Sequence, residues 1–166
     1  MPISYGPPPR TNVLLAVTHE KIDRLQRILE GHEVNVVVTV PEAMQALKDK
    51  SYGIVIIGVH FDDSQMFSLL SEVRTRAPYR KVPILVVLGE RGRALSDVAV
   101  EGLDHAVKAM TANGFLDLRH FPDDDDGNAR IRRIVDYLIL INGDLQHLAR
   151  AGQQVVGIPE RRRAAS

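Results

Sequence analysis

The stretch Ser51-Tyr-Gly-Ile-Val-Ile-Ile-Gly-Val-His60 carries the clearest structural signal in this sequence. Its apolar run, from Ile54 to Val59, is rich in β-branched residues and does not alternate with polar side chains. A strand of this composition is typical of a sheet that is buried on both faces, because a half-exposed strand would alternate. The stretch therefore predicts an interior strand of an α/β domain.

Four other short apolar runs occur along the chain, at residues 12–17, 34–40, 82–88 and 115–118. The segments between the runs carry apolar residues at helical spacing, and Met66, Leu69, Leu70 and Val73 show it most clearly. Five strands and five helices are predicted in alternation. Because right-handed crossovers place helices on both faces of a parallel sheet, we expect one doubly wound (βα)5 domain.

The composition is that of an ordinary globular domain, with 45% hydrophobic and 25% charged residues. Lys plus Arg (21) equals Asp plus Glu (21), so the basic surplus usual in nucleic-acid-binding domains is missing. No apolar run reaches the roughly 18 residues that span a bilayer, and there is no cysteine. We expect a cytoplasmic protein that binds neither nucleic acid nor membrane.

The quoted stretch resembles the receiver domain of bacterial response regulators, and the similarity extends over roughly residues 12 to 140. Receivers have Tyr-Asp, four apolar residues and then the Asp that accepts a phosphoryl group at the end of the third strand. Here Tyr52 and the run from Ile54 to Ile57 match, which puts Gly58 at the phosphoacceptor position. The resemblance implies a flavodoxin-like, five-stranded parallel sheet with strand order 2-1-3-4-5.

The other receiver motifs are also altered. Receivers bind Mg²⁺ through an acidic pair after the first strand, where this sequence has Val17-Thr18 or Thr18-His19. They have Ser or Thr after the fourth strand and Lys-Pro after the fifth. Leu88 and Phe121-Pro122 take these places, with Arg119 the nearest cation. The vestigial pocket implied by the resemblance consists of Val17, Thr18, His19, His60, Leu88 and Arg119.

Phosphoryl transfer to a receiver needs a carboxylate nucleophile, acidic Mg²⁺ ligands and a cation that holds the product. Glycine offers no nucleophile, and Val and Thr bind hard cations poorly. The sequence is therefore identified as a degenerate pseudo-receiver that is not an enzyme and needs no cofactor. We expect it to act by protein–protein interaction in a two-component pathway or phosphorelay. Its expected partner is a histidine kinase, another receiver or a regulatory enzyme.

The alternative is a sensor of a small anion, nucleotide or metal at the same edge of the sheet. Ligands of open α/β sheets bind at the carboxyl ends of the strands, where His19, His60 and His120 fall. Three histidines after three strands need not converge, so we predict no metal site. The loop from Gly89 to Arg93 has two glycines and two arginines but is no phosphate-binding fingerprint, and an ordinary surface loop is favoured.

The fourth and fifth helices are the predicted partner surface, as the resemblance implies. The segment between Gly89 and Asn113 is longer than the usual connection, and the last helix is apolar on nearly every face. The residues selected are Arg91, Arg93, Tyr137, Ile139 and Leu140. Two readings of the excess apolar surface stay open: a homodimer through these helices, or packing within one chain.

The domain is expected to span residues 12–150, between a proline-rich arm (1–11) and a basic tail (151–166). Asn142-Gly143 is expected to stop or bend the last helix, with Asp144 capping a further one. The run Asp123 to Asp126 is interpreted as the capped, dipole-stabilised start of the last helix. A weak calcium loop is the alternative, although the distal Glu of an EF-hand is missing.

Overall fold

The structure, a computed structural model, describes residues 10–89 and 95–156, of which residues 144–156 are described as helix backbone only. The predicted arm, apart from its last two residues, and the predicted tail from residue 157 onward lie outside the described residues. So do Arg91 and Arg93 of the predicted partner surface.

Five parallel strands form one sheet in the order β2-β1-β3-β4-β5. The strands are β1 (Asn12–Ala16), β2 (Glu33–Val37), β3 (Ile54–Gly58), β4 (Ile84–Leu88) and β5 (Gly114–Asp117). Every residue of β3 and β4 is buried, as the unbroken apolar runs predicted. The predicted fold class and the strand order 2-1-3-4-5 are confirmed.

Five helices of at least ten residues cover the sheet: α1 (His19–Ile28), α2 (Val40–Asp49), α3 (Met66–Thr75), α4 (Asp97–Ala109) and α5 (Asp125–Val156). One face of the sheet packs against α2, α3 and α4, and the other packs against α1 and α5. None of the helices within residues 10–89 and 95–156 is long and apolar enough to cross a bilayer.

The second strand ends earlier than its apolar run suggested. The run extends to Val40, but β2 ends at Val37 because the next residues begin a helix. Thr39 caps α2, with its Oγ1 accepting a hydrogen bond from Glu42 N at 3.3 Å, and Pro41 lies in the first turn. A cap followed by proline is a strong helix start, and it overrides the β-branched composition here.

The last helix is longer than predicted. It continues through Asn142 and Gly143 without interruption and ends at Val156, so the expected stop at these residues was wrong. The predicted domain boundary at residue 150 consequently falls inside a helix. At its other end Asp124 caps the helix, with Oδ1 accepting from Gly127 N at 2.7 Å. The capping interpretation of the aspartate run is confirmed.

Candidate functional site

The carboxyl edge of the sheet is built around Gly58, the last residue of β3. Gly58 is buried and pairs with Val87 of β4. A Cβ atom at this position would lie 3.4 Å from Cγ1 of Val17, which follows β1 and is fully buried. Leu88, at the end of β4, is 3% exposed. Hydrocarbon side chains therefore surround the end of β3 at Gly58.

Lys21 is the residue at this edge that the sequence did not reveal. Its Nζ lies 3.3 Å from Thr18 Oγ1, the only hydrogen-bond partner it has within the described residues. The side chain lies across Gly89, directly after β4, so closely that a Cβ at position 89 would overlap Lys21 Cε. Lys21 is only 7% exposed, and this burial lowers the pKa of its ammonium, partly offset by Glu20. A buried cation thus occupies the edge.

Arg119, the predicted cation of the vestigial pocket, is held by Asp117 at the end of β5. Its Nε lies 2.9 Å from Asp117 Oδ1 and its Nη2 lies 2.7 Å from Oδ2, a bidentate pair. Asp117 is 9% exposed, and the hydrogen bonds from Arg119 lower the pKa of its carboxyl group. The guanidinium is therefore committed to a structural ion pair.

The three histidines predicted near this edge do not assemble into a metal site. His19 is exposed at the start of α1, and His60 is half-buried after β3. His120 is exposed, with Nε2 3.5 Å from Asp117 Oδ2. Within residues 10–89 and 95–143, no three His, Asp or Glu side chains come close enough to share a metal ion.

A left-handed turn follows Gly58 before α3 begins. Asp62, Asp63 and Ser64 have φ values of 44°, 53° and 68°, a conformation that is unfavourable for residues other than glycine, asparagine and aspartate. Asp62 uses its carboxylate locally, with Oδ2 accepting from Val40 N at 2.8 Å at the start of α2. The first acidic group after Gly58 is thereby engaged as a helix cap.

A small cavity of about 200 Å³ lies between α1 and the loop that joins β5 to α5. Lys21, Arg24 and Arg27 line it together with acidic side chains, among them Asp123. Arg24 is 8% exposed and fixes the loop, because its Nη2 donates to the carbonyl oxygens of Phe121 (2.7 Å) and Pro122 (2.9 Å). Arg27 pairs with Asp123 at 3.2 Å. The positive charges that line this cavity are thus largely balanced by the neighbouring carboxylates.

The predicted partner surface separates into exposed and buried residues. Tyr137 is 63% exposed, and Leu140 is half-buried. Ile139 is only 7% exposed and packs in the core against α1 and the sheet, so its assignment to the surface is corrected. The i, i+4 spacing of Val135 and Ile139 places both on the core face of α5, which the uniformly apolar run concealed.

Two grooves flank the edge strand β5. The groove on the α5 side, of about 640 Å³, is lined by apolar side chains, including Ile134 and Leu138, and by Arg130 and Arg133. The groove on the α4 side, of about 520 Å³, contains acidic residues of α4; Asp97, Glu101 and Asp104 lie there. Lys108, Arg119 and His120 also line this second groove, so the edge strand separates a basic, apolar groove from one of mixed charge.

No family model matches the sequence, and no curated protein matches it. Solved structures match its fold. NtrX from Brucella abortus, in complex with ADP, superposes with a TM-score of 0.67 and 16% identity, over 94% of this chain. The chain spans about a third (32%) of the length of that NtrX chain.

Two shorter structures match along nearly their whole length. A putative response regulator from Chloroflexus aurantiacus gives a TM-score of 0.59 and 19% identity, over 75% of this chain and 97% of that one. The receiver domain of sensor histidine kinase PA1611 from Pseudomonas aeruginosa, with a magnesium ion in its active site cleft, superposes with a TM-score of 0.60 and 19% identity. It covers 78% of this chain and 98% of that one. These likenesses establish the receiver-type fold.

Proposed function

We propose that this chain is a receiver-like signalling protein of a two-component-type pathway that binds other proteins and does not itself accept a phosphoryl group. One observation carries the proposal: the position that ends β3 is a buried glycine, Gly58, packed against the hydrocarbon of Val17. Aspartyl phosphate formation requires a carboxylate nucleophile at the site of attack, and glycine has none. We therefore assign this domain a binding function rather than a catalytic one.

The surroundings of Gly58 support the same conclusion. Magnesium prefers several oxygen ligands in octahedral geometry, and the side chain of Val17 supplies none. The ammonium of Lys21, next to Thr18, adds a positive charge at this edge. A like charge within a few ångströms disfavours a divalent cation, all the more where burial reduces screening.

The partner surface we propose is the face formed by α4, β5 and α5. Tyr137 is the exposed aromatic residue of this face, and Arg130 and Arg133 border the apolar groove beside it. Aromatic and arginine side chains are enriched among the residues that dominate binding energy. The partner we propose is a histidine kinase, another receiver or a regulatory enzyme.

The phosphorylation claim is tested with acetyl phosphate and Mg²⁺, read out by intact mass. We expect no phosphoryl adduct, while a receiver that retains its aspartate, treated in parallel, is modified. Asp62→Asn and Asp63→Asn variants identify the site if an adduct forms. A stoichiometric adduct on the wild-type chain would refute this part of the proposal.

The partner face is tested by binding to purified kinase and receiver domains from the same organism. Tyr137→Ala should weaken the strongest interaction about tenfold, since exposed aromatic anchors commonly contribute more than 1 kcal/mol. Phe67→Ala is the matched control, because Phe67 is an exposed aromatic residue (37%) on α3. Equal loss in both variants would argue against the α4–β5–α5 face.

A second function, the binding of a small anion at the same edge, is favoured by Lys21 alone. Among residues 10–89 and 95–143 its ammonium has one hydrogen-bond acceptor, Thr18 Oγ1, and its side chain is buried and lines the cavity of about 200 Å³. Bound phosphate or ADP must raise the melting temperature, because a ligand that binds the native state stabilises it. The rise should vanish in Lys21→Met. No rise with either probe would remove this candidate.

A further inference from the structure

The outer side of β5 is an open edge of the sheet, with no neighbouring strand within residues 10–89 and 95–156. Val59 N donates to Val87 O at 2.9 Å, so Val87 directs its backbone groups to β3 and Val86 directs its own to β5. Val86 lies opposite Phe115 and, in a parallel pair, bonds to the two residues that flank it. The backbone N–H and C=O groups of Phe115 and Asp117 therefore point outward. Outward groups of this kind are a template for a further strand.

The α5-side groove, of about 640 Å³, adjoins this open edge. One wall is a stripe of α5 whose residues recur at intervals of three and four, next to the core face of the helix. The stripe comprises Arg130, Arg133, Ile134, Tyr137 and Leu138. The other wall includes Gly114 and Leu116 of β5. Because the side chains of a strand alternate between the two faces of a sheet, a chain added to β5 would direct every second side chain into this groove.

The two arginines of the groove have no carboxylate partner in the described part of the chain. Arg130 and Arg133 are both exposed, and no ion pair joins either of them to an acidic side chain there. The Arg130 guanidinium carbon lies 5.0 Å from the centroid of the Phe121 ring, and both side chains line the groove. Arg132, which does not line the groove, pairs instead with Asp136 at 3.7 Å. Since arginine binds carboxylates strongly, the groove is complementary in charge to an acidic occupant.

The segments of this sequence that lie outside the described residues do not have this chemistry. Residues 1–9 contain no Asp or Glu, residues 90–94 contain one Glu and two Arg, and residues 157–166 contain one Glu and three Arg. A basic segment would be repelled by the two arginines. An acidic occupant is therefore a segment of another protein.

We propose that the open edge of β5 and the α5-side groove bind an extended acidic segment of a partner protein, which adds to the sheet as a sixth strand. The inference rests on the proposed function, since the segment belongs to the partner that docks on the face formed by α4, β5 and α5. Its main chain bonds to Phe115 and Asp117, which supplies affinity for any extended chain. Its alternate side chains supply specificity: carboxylates pair with Arg130 and Arg133, and apolar side chains pack against Ile134.

The ligand chemistry is tested with the full chain and a library of random short peptides displayed on phage. Peptides selected on the wild type should carry acidic residues at alternate positions, with apolar residues among them, since only every second side chain faces the groove. Selection of no peptide, or of peptides without acidic residues, would overturn the inference.

Charge reversal tests the groove as the binding site. A selected peptide, measured by fluorescence anisotropy, should bind Arg130→Glu/Arg133→Glu at least about tenfold more weakly than the wild type, because a like charge then faces each carboxylate. Lys48→Glu/Arg80→Glu is the matched control, since both residues are exposed, do not line the groove, and change the net charge equally. Equal weakening in the two variants would mean that general electrostatic attraction, not the groove, binds the peptide.

Hydrogen exchange measured by NMR tests the added strand itself. With the peptide at saturation, the amides of Phe115 and Asp117 should exchange at least about tenfold more slowly, since they become donors in a new ladder. The Leu116 amide, which faces β4, is the internal reference and should change little. A peptide bound as a helix would leave the Phe115 and Asp117 amides as they were, and that result would overturn strand addition.

Binding of purified kinase and receiver domains to Tyr137→Ala distinguishes this inference from the function on which it rests. If Tyr137→Ala weakens partner binding but no acidic peptide is selected, strand addition fails and the partner face stands. If acidic peptides protect the Phe115 and Asp117 amides but Tyr137→Ala binds partners as the wild type does, strand addition stands and Tyr137 is not the anchor of the face.

Discussion

Lys21 lies across Gly89, so a side chain at position 89 would have to displace the end of the lysine stem. A Cβ there would overlap Cε of Lys21, whose ammonium is buried beside Thr18 at the carboxyl edge of the sheet. The lysine stem thus packs against the glycine that directly follows β4. Their contact permits two predictions about stability.

Replacing Lys21 by Met should stabilise the protein at neutral pH by roughly 1 kcal/mol, a usual scale for single substitutions. Burial lowers the pKa of Lys21, so at neutral pH the native state bears the cost of a desolvated charge. For the wild type, stability should rise as pH increases through the lowered native pKa toward about 10.4, the unfolded value. Urea unfolding between pH 7 and 10 measures this rise in unfolding free energy, which Lys21→Met should abolish. Lys48→Met, on the exposed side of α2, is the control and should show the same rise as the wild type.

Replacing Gly89 by Ala should destabilise the wild type, because the new methyl group displaces the stem of Lys21. When Lys21 is already Met, the loss of unfolding free energy caused by Gly89→Ala should differ from its wild-type value by at least about 0.5 kcal/mol, the lower end of coupling between contacting residues. Chemical denaturation of the wild type, the two single variants and the double variant gives this coupling energy as a double-mutant cycle. Strict additivity would show that the two side chains do not share this space.

Replacing Asp117 by Asn should lower stability modestly at neutral pH, since it leaves the partly exposed Arg119 guanidinium with a neutral partner. Arg119 lowers the pKa of Asp117, so the pair stabilises the fold at pH values above about 3.9, the unfolded value. That contribution is lost as pH falls through the lower native pKa. Acid unfolding followed by circular dichroism should therefore be less steep in Asp117→Asn. Glu101→Gln, an exposed residue of α4, should reproduce the wild-type curve.

Replacing Gly127 by Ala should destabilise the domain by about 1 to 3 kcal/mol, the usual cost of overpacking. A Cβ on Gly127 would overlap the carbonyl oxygen of Pro122, a backbone atom that Arg24 holds in place. Gly102→Ala is the matched control: a Cβ there meets nothing within 4 Å, and Gly102 lies inside α4. Its replacement should stabilise by up to about 1 kcal/mol through helix propensity. Thermal unfolding should therefore show a lower melting temperature for Gly127→Ala and a higher one for Gly102→Ala.

The sheet could be predicted because its signal is local in the sequence. The runs that became β3 and β4 contain only apolar residues and glycine, and a strand buried on both faces requires such a composition. Gly58 was placed at the end of β3 by counting from Tyr52, and the structure puts it there. Helix ends were less certain, because Asn142 and Gly143 favour a stop that the continuing helix overrides.

The candidate site depends on contacts between residues that are distant in sequence. Nothing adjacent to Lys21 indicates that its stem crosses Gly89, or that Asp62 reaches Val40. Ile139 and Tyr137 lie in one apolar run, and only the orientation of α5 assigns the first to the core and the second to the surface. Pairings of this kind depend on the tertiary fold, which periodicity alone does not provide.

α5 is held against the domain from its first turn to Ile139, and the helix beyond that residue has the properties of a lever. At the first turn, Arg24 of α1 donates to the carbonyl oxygens of Phe121 and Pro122 and, from Nε, to Asn128 Oδ1, which fixes the start of the helix at the carboxyl edge of the sheet. Val156 lies about 26 Å beyond Ile139 along the helix axis. A tilt of about 10° at Ile139 would carry the far end through about 4 Å. Motions too small to detect at the sheet edge would therefore be amplified many-fold where the helix ends.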